Sequence, residues 1–477
     1  MTLTSEEIIK ILSPVQILGD KKPFVVTSSC IDSRQVTDGS LFFAFIGENS
    51  DGHGFIMHAL RNGAVCAIGT KVPSGAEMEF ANGKSGCLLI VDDILISMHR
   101  LAVLARAKMS AKVICITGSL GKTTTKEMVA EVLSKFYKVS CTNGNKNNHI
   151  GLPLSILNAD PASNVVVLEL GMNHIGEIAV LSKIARPDIA IITTIAPAHI
   201  GNFQSVEEIA KAKAEIFVGM KPESGIAILN QQNEYFPLLV EAAKNKGLKV
   251  VIGLGDSEKS PLYIKNYNVL LSQSKYDLVC KTNTGEEIIP CSIPSISYHA
   301  AYNTIFIFAV AKLLKLDLNE VQKYVAKFKG VDGRGNIETI MSGEKKITII
   351  NDCYNASPES VKSSIETLAS LARESPESRI ICVLGDMLEL GKFSREYHEK
   401  LGDFIVERGI ISKVITIGKE MEYCKGRLTG DLSCAHFENA ESAKRYVRDF
   451  VQNDDILLFK SGRKMKLEII IEKLYQS

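Results

Sequence analysis

The sequence lacks an excess of charge of either sign. Its 477 residues include 55 Lys and Arg against 54 Asp and Glu, which gives a formal net charge of +1. This near-equality of positive and negative residues excludes a global electrostatic attraction to nucleic acid or to an anionic membrane. Binding therefore depends on local sites, and we expect no nucleic-acid partner.

A long apolar run is also missing, and Met1 to Glu7 contain no basic segment followed by an apolar core. A membrane-spanning helix needs about 20 apolar residues in succession. We expect a soluble, cytoplasmic protein with no integral membrane segment.

Cysteine pairs at the spacing of metal ligands are lacking too. The 11 cysteines are scattered through strand-like runs such as Val113–Ile116 and Ile380–Leu384. This dispersal predicts reduced, buried thiols and argues against a structural zinc ion. The length exceeds the size at which one hydrophobic core stops growing, so two to four domains are expected.

What the sequence does contain is an apolar run that leads through two glycines into a lysine and three threonines, Val113 to Thr125. Glycines allow close backbone approach to an anion, and the start of the following helix attracts negative charge. Lys122 adds a positive charge and Thr123 a hydroxyl for Mg²⁺. An ordinary turn before a helix is the alternative. We predict that this loop binds ATP through Thr117, Gly118, Ser119, Leu120, Gly121, Lys122, Thr123 and Thr124.

Further apolar runs follow the loop and alternate with helical stretches, which predicts a parallel sheet covered on both faces. They are Val165–Gly171, Asp188–Thr194, Gly225–Asn230 and Val250–Gly253. Ligands of such sheets bind at the carboxyl ends of the strands. Glu169 and His199 fall at or just after such ends, and a cation would offset the cost of burying the Glu169 carboxylate. A lone histidine is more often structural.

The T-G-x-x-G-K-T form of the loop resembles that of the Mur ligase and folylpolyglutamate synthetase superfamily, ATP-driven enzymes that join a carboxylate to an amine. Other stretches resemble the Mur ligases that add D-alanyl-D-alanine to UDP-N-acetylmuramoyl-tripeptide. These are Asn143–Pro153, Glu169–Ile178, Asn355–Pro358 and Gly385–Gly391. The resemblance implies that both compounds are substrates, with ATP and Mg²⁺ as cofactors.

The resemblance also implies an α/β fold with three-domain Mur ligase architecture. Its parts would be a UDP-substrate-binding domain over residues 1–85, a central ATP-binding domain with a mostly parallel sheet over 86–314, and a Rossmann-like ligase domain over 315–477. A linker is expected at Ala81–Gly86. We expect a monomer.

Individual residues acquire expected roles from the same resemblance. Thr123, Glu169 and His199 would hold magnesium, and Lys122, Glu169, His199 and Lys213 would be catalytic, with Lys213 a candidate for carbamylation. From composition alone, a solvated basic face is the better interpretation of the Lys213 helix. Nucleotide contacts are expected from Asn303, Arg334, Asp352, Tyr354 and Asn355, and substrate contacts from Ser33, Arg34, His53, Asn147 and Asn148.

The sequence departs from the family pattern in two places beside these residues. Ala300 stands where a second asparagine is usual, and Lys460-Ser461-Gly462-Arg463 inverts the usual Gly-Ser order. Because glycine tolerates positive φ, the inversion is expected to change which position adopts it.

Three other functions compete with this interpretation. The first is a folylpolyglutamate synthetase, and the clusters Asp32–Arg34 and Asp51–His53 before the loop argue against it. The second is a Mur ligase that adds a single amino acid, and the stretches Asn355–Pro358 and Asp386–Gly391 favour the dipeptide-adding type instead. A nucleotide-binding regulatory module would show no acceptor-dependent turnover. No motif distinguishes the third residue of the tripeptide.

Overall fold

A computed structural model describes residues 2–20, 22–81, 86–255, 257–270, 273–429, 432 and 435–475. Most of the linker expected at Ala81–Gly86 lies outside these residues. In the described part the chain forms three successive α/β regions, each with its own sheet. This confirms the predicted fold class.

The first region is built on a five-stranded sheet. Its elements are β1 (Leu3–Thr4), α1 (Ser5–Leu12), β2 (Gln16–Gly19), β3 (Val25–Val26), β4 (Ser28–Cys30), β5 (Ser40–Phe43), α2 (Ile56–Arg61), β6 (Ala64–Gly69), α3 (Ala76–Ala81) and β7 (Cys87–Ile90). The sheet order is β2-β7-β6-β5-β4, with β2 antiparallel to its neighbour, and β1 pairs separately with β3. Strand β7, which ends at Ile90, is the last strand of this sheet along the chain.

The central region contains a wholly parallel six-stranded sheet. Its elements up to the last of these strands are α4 (Ile94–Ala107), β8 (Lys112–Thr117), α5 (Lys122–Leu133), β9 (Val139–Cys141), α6 (Gly151–Leu157), β10 (Val165–Glu169), α7 (Glu177–Ala185), β11 (Ile189–Ile192), α8 (Val206–Ala214), β12 (Ile226–Asn230), α9 (Phe236–Asn245) and β13 (Val250–Leu254). The sheet order is β13-β12-β11-β8-β10-β9. From β8, the chain first adds β9 and β10 on one side and then β11, β12 and β13 on the other, so the strand order reverses at β8. The carboxyl end of such a strand is where ligands bind in these folds.

Strand β8 is buried on both faces, as a continuous apolar run predicts. Val113 and Cys115 pack into one core cluster, whereas Ile114 and Ile116 pack into the cluster on the opposite face. The strand is therefore held rigidly at the point from which the phosphate loop emerges.

An antiparallel sheet of β14 (Leu262–Leu270), β15 (Gln273–Thr282) and β16 (Gly285–Ile293) follows, and it was not predicted. Its burial alternates along the chain, so no continuous apolar run marks it. Helices α10 (Tyr298–Leu313) and α11 (Leu318–Val325) come next. Val321 and Val325 of α11 pack in the core of the central region.

The third region contains a six-stranded sheet in the order β17-β18-β22-β19-β20-β21, parallel except at β17. Its elements are β17 (Asn336–Ser342), β18 (Lys345–Asp352), α12 (Pro358–Glu374), β19 (Ile380–Gly385), α13 (Ser394–Arg408), β20 (Lys413–Ile417), α14 (Met421–Lys425), β21 (Ala435–Phe437), α15 (Ala440–Phe450), β22 (Ile456–Lys460) and α16 (Glu468–Tyr475). The strand-like run Ile380–Leu384 of the sequence falls within β19.

Two expectations drawn from missing features can be compared with the described residues. None of their helices is long and apolar enough to cross a bilayer. None of their cysteines forms a disulfide, and all but the exposed Cys141 are buried. Cys434 lies outside the described residues.

Candidate active site

The phosphate loop turns sharply between β8 and α5. Gly118 and Gly121 have φ values of 145° and 78°, which favour glycine. A Cβ atom on Gly118 would lie 2.0 Å from Thr193 Oγ1. The glycines thus allow the loop to close onto the sheet, and α5 begins at Lys122 with its amino terminus facing the loop. This is the predicted arrangement for binding an anion.

Three cations, from Lys122, Lys213 and Arg334, surround this loop. Burial lowers the pKa of Lys122, and the charge of Arg334 lowers it further. Burial also holds the pKa of Lys213 well below its ordinary value, with a further contribution from Lys122. Lys122 Nζ donates hydrogen bonds to the carbonyl oxygens of Gly118 at 2.8 Å and Ser119 at 3.3 Å. A polyanionic ligand would relieve the repulsion among the cations.

Glu169 provides one buried carboxylate among these cations. It is 1% exposed, and its Oε1 accepts a hydrogen bond of 2.7 Å from Asn147 Nδ2. Its Oε2 is buried without a hydrogen-bond partner. An orphaned carboxylate oxygen fits a divalent cation, and Mg²⁺ commonly binds one or two carboxylates together with phosphate oxygens and water. No cluster of three or more His, Cys, Asp or Glu suited to a metal occurs among the described residues, so the protein would supply only part of such a shell.

The other two predicted magnesium ligands have protein partners in this structure. Thr123 Oγ1 accepts a hydrogen bond of 3.1 Å from Arg334 Nη2. His199 Nδ1 pairs with the Glu389 carboxylate of the third region. The amide of Gly201 donates to the Glu389 carbonyl oxygen at 3.0 Å, so this contact joins the central and third regions.

The third region contributes a charged wall opposite the phosphate loop. The Arg334 guanidinium stacks 4.1 Å from the centre of the Tyr354 ring, and its Nε is buried without a partner. Lys460 Nζ donates to Asp352 Oδ2 at 2.6 Å and to the Asn355 carbonyl oxygen at 3.1 Å. Asp352 and Lys460 end β18 and β22, and Tyr354 and Asn355 follow β18. Arg334 precedes β17, whose first residue pairs with Asn351, so all these side chains lie at the carboxyl edge of the parallel strands.

A cavity of about 580 Å³ joins these groups and places most of the predicted residues on its walls. The predicted residues that line it are Ser119, Leu120, Gly121, Lys122, Thr123, Thr124, Asn147, Glu169, His199, Lys213, Asn303, Arg334, Asp352, Tyr354 and Asn355. Asn303, predicted to contact adenine, lies against the phosphate loop, since a Cβ atom on Gly121 would be 2.9 Å from its Nδ2.

Three predicted residues near the loop do not line this cavity. Thr117 is fully buried and donates to the Leu170 carbonyl oxygen at 2.8 Å. Gly118 packs against Thr193. Asn148 Oδ1 accepts hydrogen bonds from the amides of Ile150 and Gly151 and so stabilises the start of α6. Their contacts support the fold around the site.

The predicted substrate residues of the first region, Ser33, Arg34 and His53, also lie outside this cavity. Ser33 is buried. The exposed Arg34 guanidinium forms a two-point ion pair with Asp32, and this pairing lowers the pKa of Asp32 to about 2.

His53 is 2% exposed, with Nδ1 on Asp51 and Nε2 accepting from the Thr70 amide. Both ring nitrogens therefore have protein partners in this structure, and the predicted contact of His53 with substrate stays a prediction.

The inverted Lys460–Arg463 stretch acts through packing rather than through positive φ. Gly462 has φ −63°, so the expectation of a conformational difference was wrong. A Cβ atom on Gly462 would lie 2.6 Å from Leu388 Cγ, whereas Ser461 packs against Gly385. Close approach to the Leu388 side chain therefore explains the glycine.

Some residues on the cavity wall were not predicted. Glu389 was not singled out within its motif because its partner is distant in sequence. Helix α12 presents Ser360, Ser363, Ser364 and Thr367 to the cavity, and Ser364 Oγ donates to Asp352 Oδ2 at 2.8 Å. Their spacing along one helix face is a signal that could have revealed them.

Three Mur ligase domain families match the chain in the order of its regions. They are the Mur ligase family catalytic domain over residues 26–86, the Mur ligase middle domain over 116–311 and the Mur ligase glutamate ligase domain over 337–463. A curated protein from Rickettsia prowazekii is 32% identical over 92% of this chain and 93% of its own length. The chain belongs to the Mur ligase family. The Rickettsia relative is named UDP-N-acetylmuramoyl-tripeptide–D-alanyl-D-alanine ligase.

Solved structures agree with this assignment. MurF from Acinetobacter baumannii superposes with a TM-score of 0.86 at 27% identity, covering 100% of this chain and 99% of the other. MurF ligase from Thermotoga maritima, solved in complex with ADP, gives 0.79 at 27% identity over 94% and 97%.

Proposed function

We propose that the protein is an ATP-dependent ligase that joins D-alanyl-D-alanine to UDP-N-acetylmuramoyl-tripeptide through an acyl phosphate, as a step in cytoplasmic peptidoglycan precursor synthesis. Relatives of this name match the chain over almost its whole length. The observation that carries the proposal is the cavity in which three cations and one orphaned carboxylate oxygen surround a phosphate loop.

The reaction explains why such a cavity needs so much positive charge. The terminal carboxylate of the tripeptide attacks the γ-phosphorus of ATP, and the bond to the β,γ-bridging oxygen breaks to release ADP. The dipeptide amine then attacks the acyl carbon, loses a proton and displaces inorganic phosphate. Two anions must approach each other in the first step, so neutralisation and alignment matter more than a strong base.

Individual residues serve these needs from fixed positions. Lys122 and Arg334 would neutralise the phosphate oxygens, one from each side of the cavity. Glu169, with Thr123 and phosphate oxygens, would hold Mg²⁺, and His199 remains a candidate metal ligand or neighbour of the acyl phosphate. Bound Mg²⁺ would supply charge neutralisation to the phosphates.

Lys213 fits the predicted carbamylation because its buried amine has a lowered pKa. The neutral amine, not the ammonium, adds to carbon dioxide. The product exchanges a cation for an anion beside Lys122, which removes a repulsion.

Substrate would reach the cavity from the first region. Ser33 and Arg34 remain our candidates for the pyrophosphate or uracil of UDP. Arg34 is exposed and already ordered by Asp32, so it could bind an incoming anion without first leaving a buried environment.

The test is a phosphate-release assay with ATP, Mg²⁺ and UDP-N-acetylmuramoyl-tripeptides that differ in their third residue. We expect release to depend on both the tripeptide and D-alanyl-D-alanine, with D-alanine alone as the control acceptor. Phosphate release that ignores the dipeptide, or nucleotide binding with no acceptor-stimulated turnover, would contradict the proposal.

A further inference from the structure

Lys126 is a buried lysine with no role in the reaction described above. It lies on α5 one turn after Lys122, and its side chain is 0% exposed. A buried ammonium is costly unless its donors are paired. Lys126 Nζ donates to the carbonyl oxygens of Thr142 at 2.7 Å and Gly144 at 3.4 Å, and to the Glu127 carboxylate. All three of its donors are therefore used.

Two of these acceptors belong to the segment that surrounds Glu169. Thr142 Oγ1 accepts a hydrogen bond of 3.1 Å from the Glu169 amide. Asn147 Nδ2 donates to Glu169 Oε1 at 2.7 Å, and the Asn147 carbonyl oxygen accepts from the Gly171 amide at 2.9 Å. The segment from Thr142 to Asn147 thus contacts Glu169 at both of its ends.

We propose that Lys126 is a positioning residue that fixes the segment 142–147 to the phosphate-loop helix and thereby orients Glu169 toward a divalent cation. This inference rests on the proposed function, since the role of Glu169 in holding Mg²⁺ belongs to that proposal. Lys126 itself does not line the cavity, and in this proposal it acts on Glu169 through Asn147, which does.

Lys126 has two kinds of partner, so its role in positioning Glu169 can be tested separately from its contribution to the stability of the fold. Glu127 supplies the opposite charge, whereas the two carbonyl groups fix the loop. Losing Glu127 should therefore weaken the fold without moving Glu169. Losing Lys126 should do both, because the loop carbonyls lose their donor.

The experiment titrates Mg²⁺ against ADP binding by calorimetry, so it needs no turnover. Lys126→Met is expected to raise the Mg²⁺ concentration for half-maximal ADP binding about tenfold, the usual effect of losing an outer-shell partner. Lys135→Met, at an exposed lysine just after the same helix, is the matched control and should leave the titration unchanged. Glu127→Gln should lower the thermal midpoint but shift the Mg²⁺ requirement by less than about twofold.

A double-mutant cycle tests the route through Asn147. If Lys126 acts through that residue, Lys126→Met should add little to the shift caused by Asn147→Ala. Lys126→Gln, which keeps an amide donor, provides a milder variant should Lys126→Met fail to fold, and it should shift the Mg²⁺ requirement in the same direction.

An unchanged Mg²⁺ requirement in a folded Lys126 variant, or fully additive shifts in the cycle, would overturn the inference. ADP binding by the wild type without any dependence on Mg²⁺ would also overturn it. Failure of the proposed function is a separate result, because it would appear as normal Mg²⁺-dependent ADP binding in a wild type that forms no UDP-N-acetylmuramoyl-pentapeptide.

Discussion

The cavity and the first region both place polar clusters at the ends of buried strands, yet their side chains are paired in different ways. In the first region, Arg34 pairs with Asp32, and His53 bridges Asp51 and Thr70. In the cavity, Glu169 Oε2 and Arg334 Nε are buried without partners. Native proteins rarely leave buried polar groups unpaired. Among the described residues, the buried side-chain atoms without a partner also include the neutral hydroxyls of Ser29, Thr125 and Ser461, but those that belong to charged groups both lie in the cavity. Unsatisfied buried charge, rather than polarity itself, therefore marks the ligand site.

The strongest test of this difference removes the central cation of the cavity. Lys122→Ala should reduce the rate of ligation about a thousandfold, because a preorganised charge on the transferring phosphate is lost. The fold should be retained, since a buried cation with a lowered pKa is removed. Lys112 is an exposed lysine at the start of β8, the strand before the phosphate loop. The control variant Lys112→Ala should leave the steady-state rate unchanged.

Glu169→Gln should reduce ligation about a hundredfold, at least as much as losing an outer-shell partner of a metal. Its free energy of unfolding should not fall, because the substitution removes a buried charge that is only partly paired. Urea unfolding and kinetics measured on the same preparation test both parts. A loss of stability that matches the loss of activity would contradict the comparison.

Carbamylation of Lys213 can be detected with ¹³C-labelled bicarbonate. The wild type should show a carbamate resonance that Lys213→Ala lacks, and the variant should lose activity about tenfold. Because the lowered pKa increases the fraction of reactive amine, the signal should form below the ordinary pKa of lysine and fade as pH falls through the lowered value. Normal activity in a preparation without the resonance would exclude the modification as a requirement.

His53→Ala is expected to have the smallest effect on activity. It should lower the free energy of unfolding by about 1–3 kcal/mol, because the Thr70 amide and Asp51 lose their buried partner. The KM for the UDP substrate should be unchanged. His58→Ala, at an exposed histidine of the adjacent helix, is the control for stability. A raised KM without lost stability would support the predicted contact of His53 with substrate.

The phosphate loop and the parallel sheets could be predicted because their signals are local. Glycine spacing and apolar runs identified β8, and the ends of neighbouring strands selected Glu169. The antiparallel β14–β16 sheet was not predicted, because polar residues interrupt the apolar residues of its strands. The places of β7 and α11 in their regions are set by tertiary packing, which sequence composition does not reveal.

Side-chain partners at long range could not be predicted. His199 meets Glu389 across 190 residues of sequence, and Arg334 reaches Thr123 across 211. The pairing of His53 with Thr70 likewise depends on the return of β6 beside β5. Sequence analysis gave these residues as candidates, but only the structure distinguishes satisfied side chains from those that still need a ligand.

The most direct measurement follows oxygen from the tripeptide to phosphate. UDP-N-acetylmuramoyl-tripeptide labelled with ¹⁸O in its terminal carboxylate is ligated in unlabelled water, and the released phosphate is analysed by mass spectrometry. We predict one ¹⁸O atom in each phosphate, because the carboxylate oxygen stays with phosphorus when the amine displaces it. Phosphate without the label, released together with the pentapeptide product, would contradict an acyl phosphate formed in this cavity.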